Sequence, residues 1–249
     1  HHPEDLAPTE APHALAAANR LGLTLPSKNG LLPANFDLRE PSTEATAITV
    51  ADNVTFWLKG SDYFAGLPKG FARIQLSSDL ALNSVDNQVY LSLWQSLYDL
   101  KQARLATEAS IAGMSLNLGA SNGITLTVSG FTDKQPELLE RALAGLRVAP
   151  TELEFGQAVE RYLRRIENSK RAFPYTRFTP LLGLLTREGR FSDTSLVLAA
   201  SKANLADFTA FTETVLADSH VRGFFFGNYS EADVRTAYQQ ISKTLMPSA

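Results

Sequence analysis

The stretch GITLTVSGFTDKQPELL, residues 123–139, decides how this chain folds. In its first half Ile124, Leu126 and Val128 alternate with Thr125, Thr127 and Ser129, the period-two pattern of a strand with one apolar and one polar face. The apolar positions that follow, Leu138, Leu139, Ala142, Leu143 and Leu146, recur at the spacing of one helix face. At the junction Thr132 and Gln135 carry the spacing of a capping box. Pro136 falls in the first turn, where a missing N–H is tolerated. A half-polar strand handed directly to an amphipathic helix implies a sheet with one face covered and one open.

Just upstream, SLNLG (115–119) reads as a partner strand turning back at 120–122. Before it, Ser84 caps a helix whose face carries Tyr90, Leu93, Trp94, Leu97 and Tyr98, followed by a weaker helix over 100–112. ITV (48–50), VTFWLK (54–59) and FARIQLSS (71–78) are β-rich runs separated by Asp52-Asn53 and by GLPKG (66–70), and read as an opening β-meander. Residues 3–43 hold prolines at 3, 8, 12, 26, 33 and 41. They read as a flexible lead-in or inter-domain linker, assigned to 1–43, with one short helix at 12–21. A single domain is expected over 44–249.

Downstream, Thr151 and Glu154 form a capping box opening a helix that carries Phe155, Val159, Tyr162 and Ile166. Shorter helices are expected around 177–188 and 204–217, the latter with Leu205, Phe208, Phe211 and Val215. RGFFFGN (222–228) reads as a strand buried on both faces. Ser230 with Asp233 caps a closing helix bearing Val234, Ala237, Tyr238, Ile241 and Leu245. This order of elements gives the fold class α+β: a mixed, largely antiparallel sheet with helices packed on one face.

Composition narrows the function classes. A net charge of -3 gives no electrostatic reason to expect nucleic acid. No apolar run approaches the length that crosses a bilayer, so no membrane partner is expected. The absence of cysteine removes thiolate chemistry and fits a reducing compartment, so a cytoplasmic location is expected, with the periplasm as alternative. The first residues, HHPED, lack the basic and apolar regions of a signal peptide.

Candidate chemistry is sparse. The histidines stand at 1, 2, 13 and 220, and no two within 44–249 occupy adjacent helical turns as a zinc site requires. His1 and Glu4 have a suggestive spacing but lie in the proline-bearing lead-in. His220 reads as a structural or surface histidine. No G-x-S-x-G elbow and no phosphate-binding glycine loop is present. Glu152 and Glu154 are a carboxylate pair explained by capping and the helix dipole. RYLRRIENSKR (161–171), interleaved with acids, reads as a solvated helix face.

Five blocks carry a family resemblance. LPSKNGLLPANFDL (25–38) resembles the Leu-Pro then Asn-x-x-x-Pro-x-x-Phe signature that opens the C-terminal half of insulinase/pitrilysin peptidases. FWLKGSDYFAGLPK (56–69) resembles the family's Leu-Trp-x-Lys, Asp, Phe, Pro-Lys block. Leu and Trp are exchanged there as Phe56-Trp57, and one extra residue separates Phe64 from Pro68-Lys69. The most specific match is 123–139, which resembles a strand-to-helix element ending Gly-aromatic-x-Asp-Lys-Gln-Pro-x-Leu-Leu, with Ile111-Ala112-Gly113 similar to the Ala-Gly-Leu before it. PLLGLLTREGRFS (180–192) and GNYSEADV (227–234) resemble the later landmarks in order.

The resemblance implies the third of several repeated α+β domains in a zinc metallopeptidase whose two bowl-shaped halves enclose peptides. The inverted His-x-x-Glu-His motif and a further Glu ligand belong to the first domain of the N-terminal half. The resemblance therefore implies no catalytic, cofactor-binding or metal residue in this chain, and zinc in the N-terminal half of a longer parent. Its implied partners are that catalytic half and an enclosed peptide. The alanine-rich, cysteine-free texture resembles a bacterial branch of the family that processes the pyrroloquinoline quinone precursor peptide. The alternative expectation is a catalytically silent scaffold subunit that binds a separate peptidase. In either case an exposed apolar patch is expected where a neighbour packs.

Overall fold

A computed structural model of the chain describes residues 28–40, 44–51, 54–62, 65–121, 123–171, 173–186 and 189–245. Among these residues the alternating segments become six strands: β1 (Thr46–Ala51), β2 (Val54–Lys59), β3 (Lys69–Ser77), β4 (Met114–Ala120), β5 (Ile124–Phe131) and β6 (His220–Gly227). They form one sheet in the order β1-β2-β6-β3-β5-β4. Only β2 and β6 run parallel; the other neighbours are antiparallel, as the α+β reading expects.

Among the described residues eight α-helices accompany the sheet: α1 (Val85–Lys101), α2 (Ala103–Ile111), α3 (Gln135–Ala144), α4 (Glu152–Ser169), α5 (Pro174–Thr186), α6 (Asp193–Lys202), α7 (Leu205–Ala217) and α8 (Glu231–Leu245). The strand residues that face them are apolar and buried: Val54, Phe56 and Leu58 on β2, Ala72, Ile74 and Leu76 on β3, Ile124, Leu126 and Val128 on β5. Their alternates are exposed or half-buried, so the helices cover one face and leave the other open.

The core joins α1 to α3 through two buried polar tips. The Trp94 indole N–H donates to the Leu146 carbonyl at 2.9 Å, and the Tyr98 hydroxyl donates to the Ala142 carbonyl at 3.1 Å. Each large ring is thereby buried without stranding its polar atom. Three caps match the sequence expectation. Ser84 Oγ accepts from the Asn87 N–H at 3.1 Å. Thr151 and Glu154 form the reciprocal box at 3.2 and 2.8 Å, and Ser230 and Asp233 do the same at 3.3 and 2.8 Å.

Several expectations are corrected. The opening strands are not a meander, because β6 inserts between β2 and β3. The connection over 60–68 spans two inter-strand spacings of about 4.8 Å easily, so adjacency in sequence does not fix adjacency in the sheet. β6 is not buried on both faces: Phe225 is buried while Phe224 is 38% exposed. A run of three phenylalanines in a half-covered sheet must send at least one to the open side.

Thr132 and Gln135 do not form a capping box. The helix starts behind Lys134 without a side-chain cap, and Thr132 Oγ1 donates to the Pro68 carbonyl at 3.3 Å. Helix α6 was not legible, since its buried face is only Ala199 and Ala200. The compact unit begins at Leu31, earlier than the expected boundary at 44, and Leu31 is fully buried. Prolines there exclude a helix but not packing. The helix expected at 12–21 lies outside the described residues.

Candidate functional site

The open face of the sheet is built by register. One row across it reads Trp57, Phe224, Arg73 and Thr127, each the cross-strand partner of the next. The next row reads Lys59, Phe226, Phe71 and Ser129, and a third reads Thr55, Arg222, Gln75 and Thr125. At one end Lys69 pairs with Phe131, its ammonium 4.7 Å from the ring centroid. Phe224 and Phe226 stack with ring planes 14° apart, and Trp57 beside them is 46% exposed. The face is therefore an aromatic strip edged by Lys59, Lys69, Arg73 and Arg222. Among the described residues none of these four cations forms an ion pair.

A second unusual surface is α5. Tyr175, Phe178, Leu182 and Leu185 follow the helical repeat as one stripe, with Leu181 and Leu184 beside it, and all six are exposed. Leu185 is 86% exposed. The segment PYTRFTPLLGLLT carries a single charged residue, far fewer than a surface helix usually does.

On the covered side, a polar node lies where β3, β5, α3 and the chain after β6 meet. Gln135 Nε2 donates to the carbonyls of Gly70 at 3.0 Å and Gly130 at 2.9 Å, and its Oε1 accepts from the Tyr229 hydroxyl. Burial pushes the Tyr229 phenol well above its ordinary range; the nearby Asp233 adds to this, and the hydrogen bond to Gln135 opposes it. Residues 34–39 strap across the same region. Asp133 Oδ2 accepts from the N–H groups of Ala34 (2.8 Å) and Asn35 (3.2 Å). Asn228 accepts from the Arg39 N–H at 2.6 Å and donates to the Asp37 carbonyl at 3.0 Å. Under the strap is a cavity of ≈ 100 Å³ bordered by Arg39, Gln135, Asn228, Tyr229 and Gln240.

The residues singled out from sequence are scattered. His220 is exposed at the start of β6, opposite Ser77, and its carbonyl accepts from Ser77 Oγ at 3.4 Å. His1, His2, His13 and Glu4 lie outside the described residues. Glu154 is committed to its cap and to a salt bridge with Lys101 at 2.5 Å; the Lys101 hydrogen bond, then the Thr151 N–H, hold its carboxyl below the usual range. A carboxyl kept ionised in this way is no general acid. Along 161–171, Lys170 pairs with Glu167, Arg164 with Glu160, and Arg165 stands 5.1 Å from the Tyr162 ring. Among the described residues no group of three or more His, Asp or Glu side chains could hold a metal ion. No described helix is long and apolar enough to cross a membrane.

Sequence reasoning missed the node and the strap. The available signal was glycine: a Cβ at Gly70 would overlap the Tyr229 ring, and Gly130 has φ 110° with the Gly113 carbonyl against it. Strand glycines mark close approach, and both flank Gln135.

The fold is shared with a solved structure. The crystal structure of pitrilysin superposes with a TM-score of 0.84 at 23% identity, over 96% of this chain and 26% of that one. This likeness shows that the α+β fold is shared. Residues 6–199 match the family model described as the middle or third domain of peptidase_M16, and the chain belongs to that family. Human insulin-degrading enzyme is 29% identical over 90% of this chain, and Protease 3 of Escherichia coli K12 is 24% identical over 90%. The chain spans about a quarter of the length of these relatives, 23% and 24% respectively.

Proposed function

We propose that the chain acts as a non-catalytic domain of a longer, chambered zinc metallopeptidase, enclosing peptide substrate with its open sheet face and supporting the catalytic half. The observation that carries this reading is α5, whose six exposed apolar side chains and near-absence of charge suit a helix covered by another domain. Membership of the middle-domain family supports it, since such domains are one part of a multidomain enzyme. The finer role, processing a pyrroloquinoline quinone precursor peptide in the cytoplasm, rests on composition alone.

Zinc in this reading sits in the parent's N-terminal half. The chain alone is expected to bind no stoichiometric zinc and to cleave no peptide, whereas adding the parent's N-terminal half restores cleavage. One tightly held zinc per folded chain overturns the proposal. The scaffold alternative uses the same apolar helix on a separately encoded partner. An inverted zinc motif upstream in the same open reading frame decides against it.

A further inference from the structure

We infer that the open face of the sheet selects acidic, extended peptide segments. The inference rests on the chamber-wall reading above and names the substrate chemistry of that wall. Its basis is an asymmetry of charge. The chain as a whole has more acidic than basic residues, 26 against 23, yet none of the six strands contains an Asp or Glu. The same strands hold Lys59, Lys69, Arg73 and Arg222, all exposed and all on the open face. Strands disfavour Asp, and to a lesser degree Glu and Lys, yet here the cations are retained and all four share one face.

Their placement sharpens the point. Arg73 faces Phe224 and Arg222 faces Gln75, so the two guanidinium-bearing residues are diagonal neighbours on adjacent strands, about 7–8 Å apart at the backbone. Like charges at this range repel, and no carboxylate of the described chain relieves them. By contrast several cations of the helices are paired in place, as with Lys101 and Glu154 or Arg141 and Glu108 at 2.7 Å. A ligand supplies the missing counter-charge.

An extended peptide fits the geometry, because its alternate side chains recur every ~6.5–7 Å on one side, the spacing of same-face residues along β3 and β6. Carboxylates at alternate positions would meet Arg73, Arg222 and Lys59, while an aromatic or aliphatic side chain lies on the strip of Trp57, Phe224 and Phe226. Arginine favours this through bidentate pairing with carboxylate.

The test is fluorescence anisotropy on the full chain with a labelled decapeptide bearing Glu at alternate positions, its Gln and Lys counterparts, and an oligouridylate of similar length. The expected result is that the Glu peptide binds roughly tenfold or more tightly than the Gln form, weakens as salt rises, and outcompetes the oligonucleotide. R73E with R222E abolishes that preference, and R73K with R222K largely keeps it. These positions are exposed, so an unchanged melting curve confirms that the variants fold.

Equal affinity for the Glu and Gln peptides overturns the inference, as does tighter binding of the oligonucleotide. The parent reading has its own readout. If the N-terminal half restores cleavage but the Glu preference is absent, only the charge selection fails. If the preference is present without restored cleavage, the wall reading fails and the binding face stands on its own.

Discussion

The Tyr229 hydroxyl donates to Gln135 Oε1 across a buried junction, joining the chain behind β6 to the first turn of α3. Gln135 spends its two N–H groups on the carbonyls of Gly70 and Gly130, so one amide ties together three strands' ends and two helices. Removing the phenol leaves the Gln135 oxygen buried without its donor. Tyr229→Phe is expected to destabilise the domain by about 1–3 kcal/mol, measured by urea unfolding. An unchanged midpoint would show that the bond carries no net energy.

Alkaline pH acts on the same residue. Burial raises the phenols of Tyr98 and Tyr229 above the ordinary value of 10.0, so the folded state favours their protonated forms. That contribution is complete below pH 10 and is lost as pH rises toward the raised folded values, because the unfolded phenols ionise first. Stability should therefore fall steadily above pH 10, and Tyr229→Phe should flatten part of the slope. The measurement is the unfolding midpoint against pH.

Gly223 is the register partner of Phe56, and a Cβ there would overlap the buried phenyl ring. Gly223→Ala is expected to cost about 1–3 kcal/mol through overpacking. Combining it with Phe56→Leu should recover part of that loss, a non-additivity read from a double-mutant cycle. Strict additivity would rule out the contact as the cause.

The strap offers a test at low pH. Burial alone would raise the Asp133 carboxyl, but the N–H groups of Ala34 and Asn35, with Lys134, outweigh it and hold it below its ordinary 3.8. Its stabilising effect is present above that value and fades as pH falls through the lowered one. Amide protection at Ala34 and Asn35 should drop in Asp133→Ala at neutral pH, and in the native chain on strong acidification. Hydrogen exchange at these two sites decides it.

On α5, Phe178→Glu with Leu185→Glu should leave the isolated chain's melting curve within about 0.5 kcal/mol of the original, since both side chains already face solvent. The same pair should abolish restoration of cleavage by the parent's N-terminal half. Intact restoration would remove α5 as the domain contact.

Much of this fold was written in local patterns. Alternation marked β5, heptad-like spacing marked α1, and Ser84, Thr151 and Ser230 announced their helices because capping is decided within four residues. What failed was nonlocal. Nothing near residues 54–77 reveals that a strand from beyond residue 220 will enter between them. Gln135 has the spacing of a cap, and only the arrival of Tyr229 and Gly70 from far away in sequence turns it into a buried tie. The open face was half legible: the polar alternates of β5 were visible, but the cation-and-aromatic pattern emerges only when β2, β6 and β3 are laid side by side.

The central place of β6 also sets a schedule for synthesis. A ribosome delivers β1 and β2, then β3 to β5, as two half-sheets with their ladder edges bare. The strand that closes both arrives only after the whole span from Ser77 to His220 has been translated. At about 5–20 residues per second that is a delay of roughly 7–30 s, during which the edges of β2 and β3 can pair with other nascent chains. A stop codon between the end of β5 and the start of β6 thus yields two sticky half-sheets rather than a shorter domain.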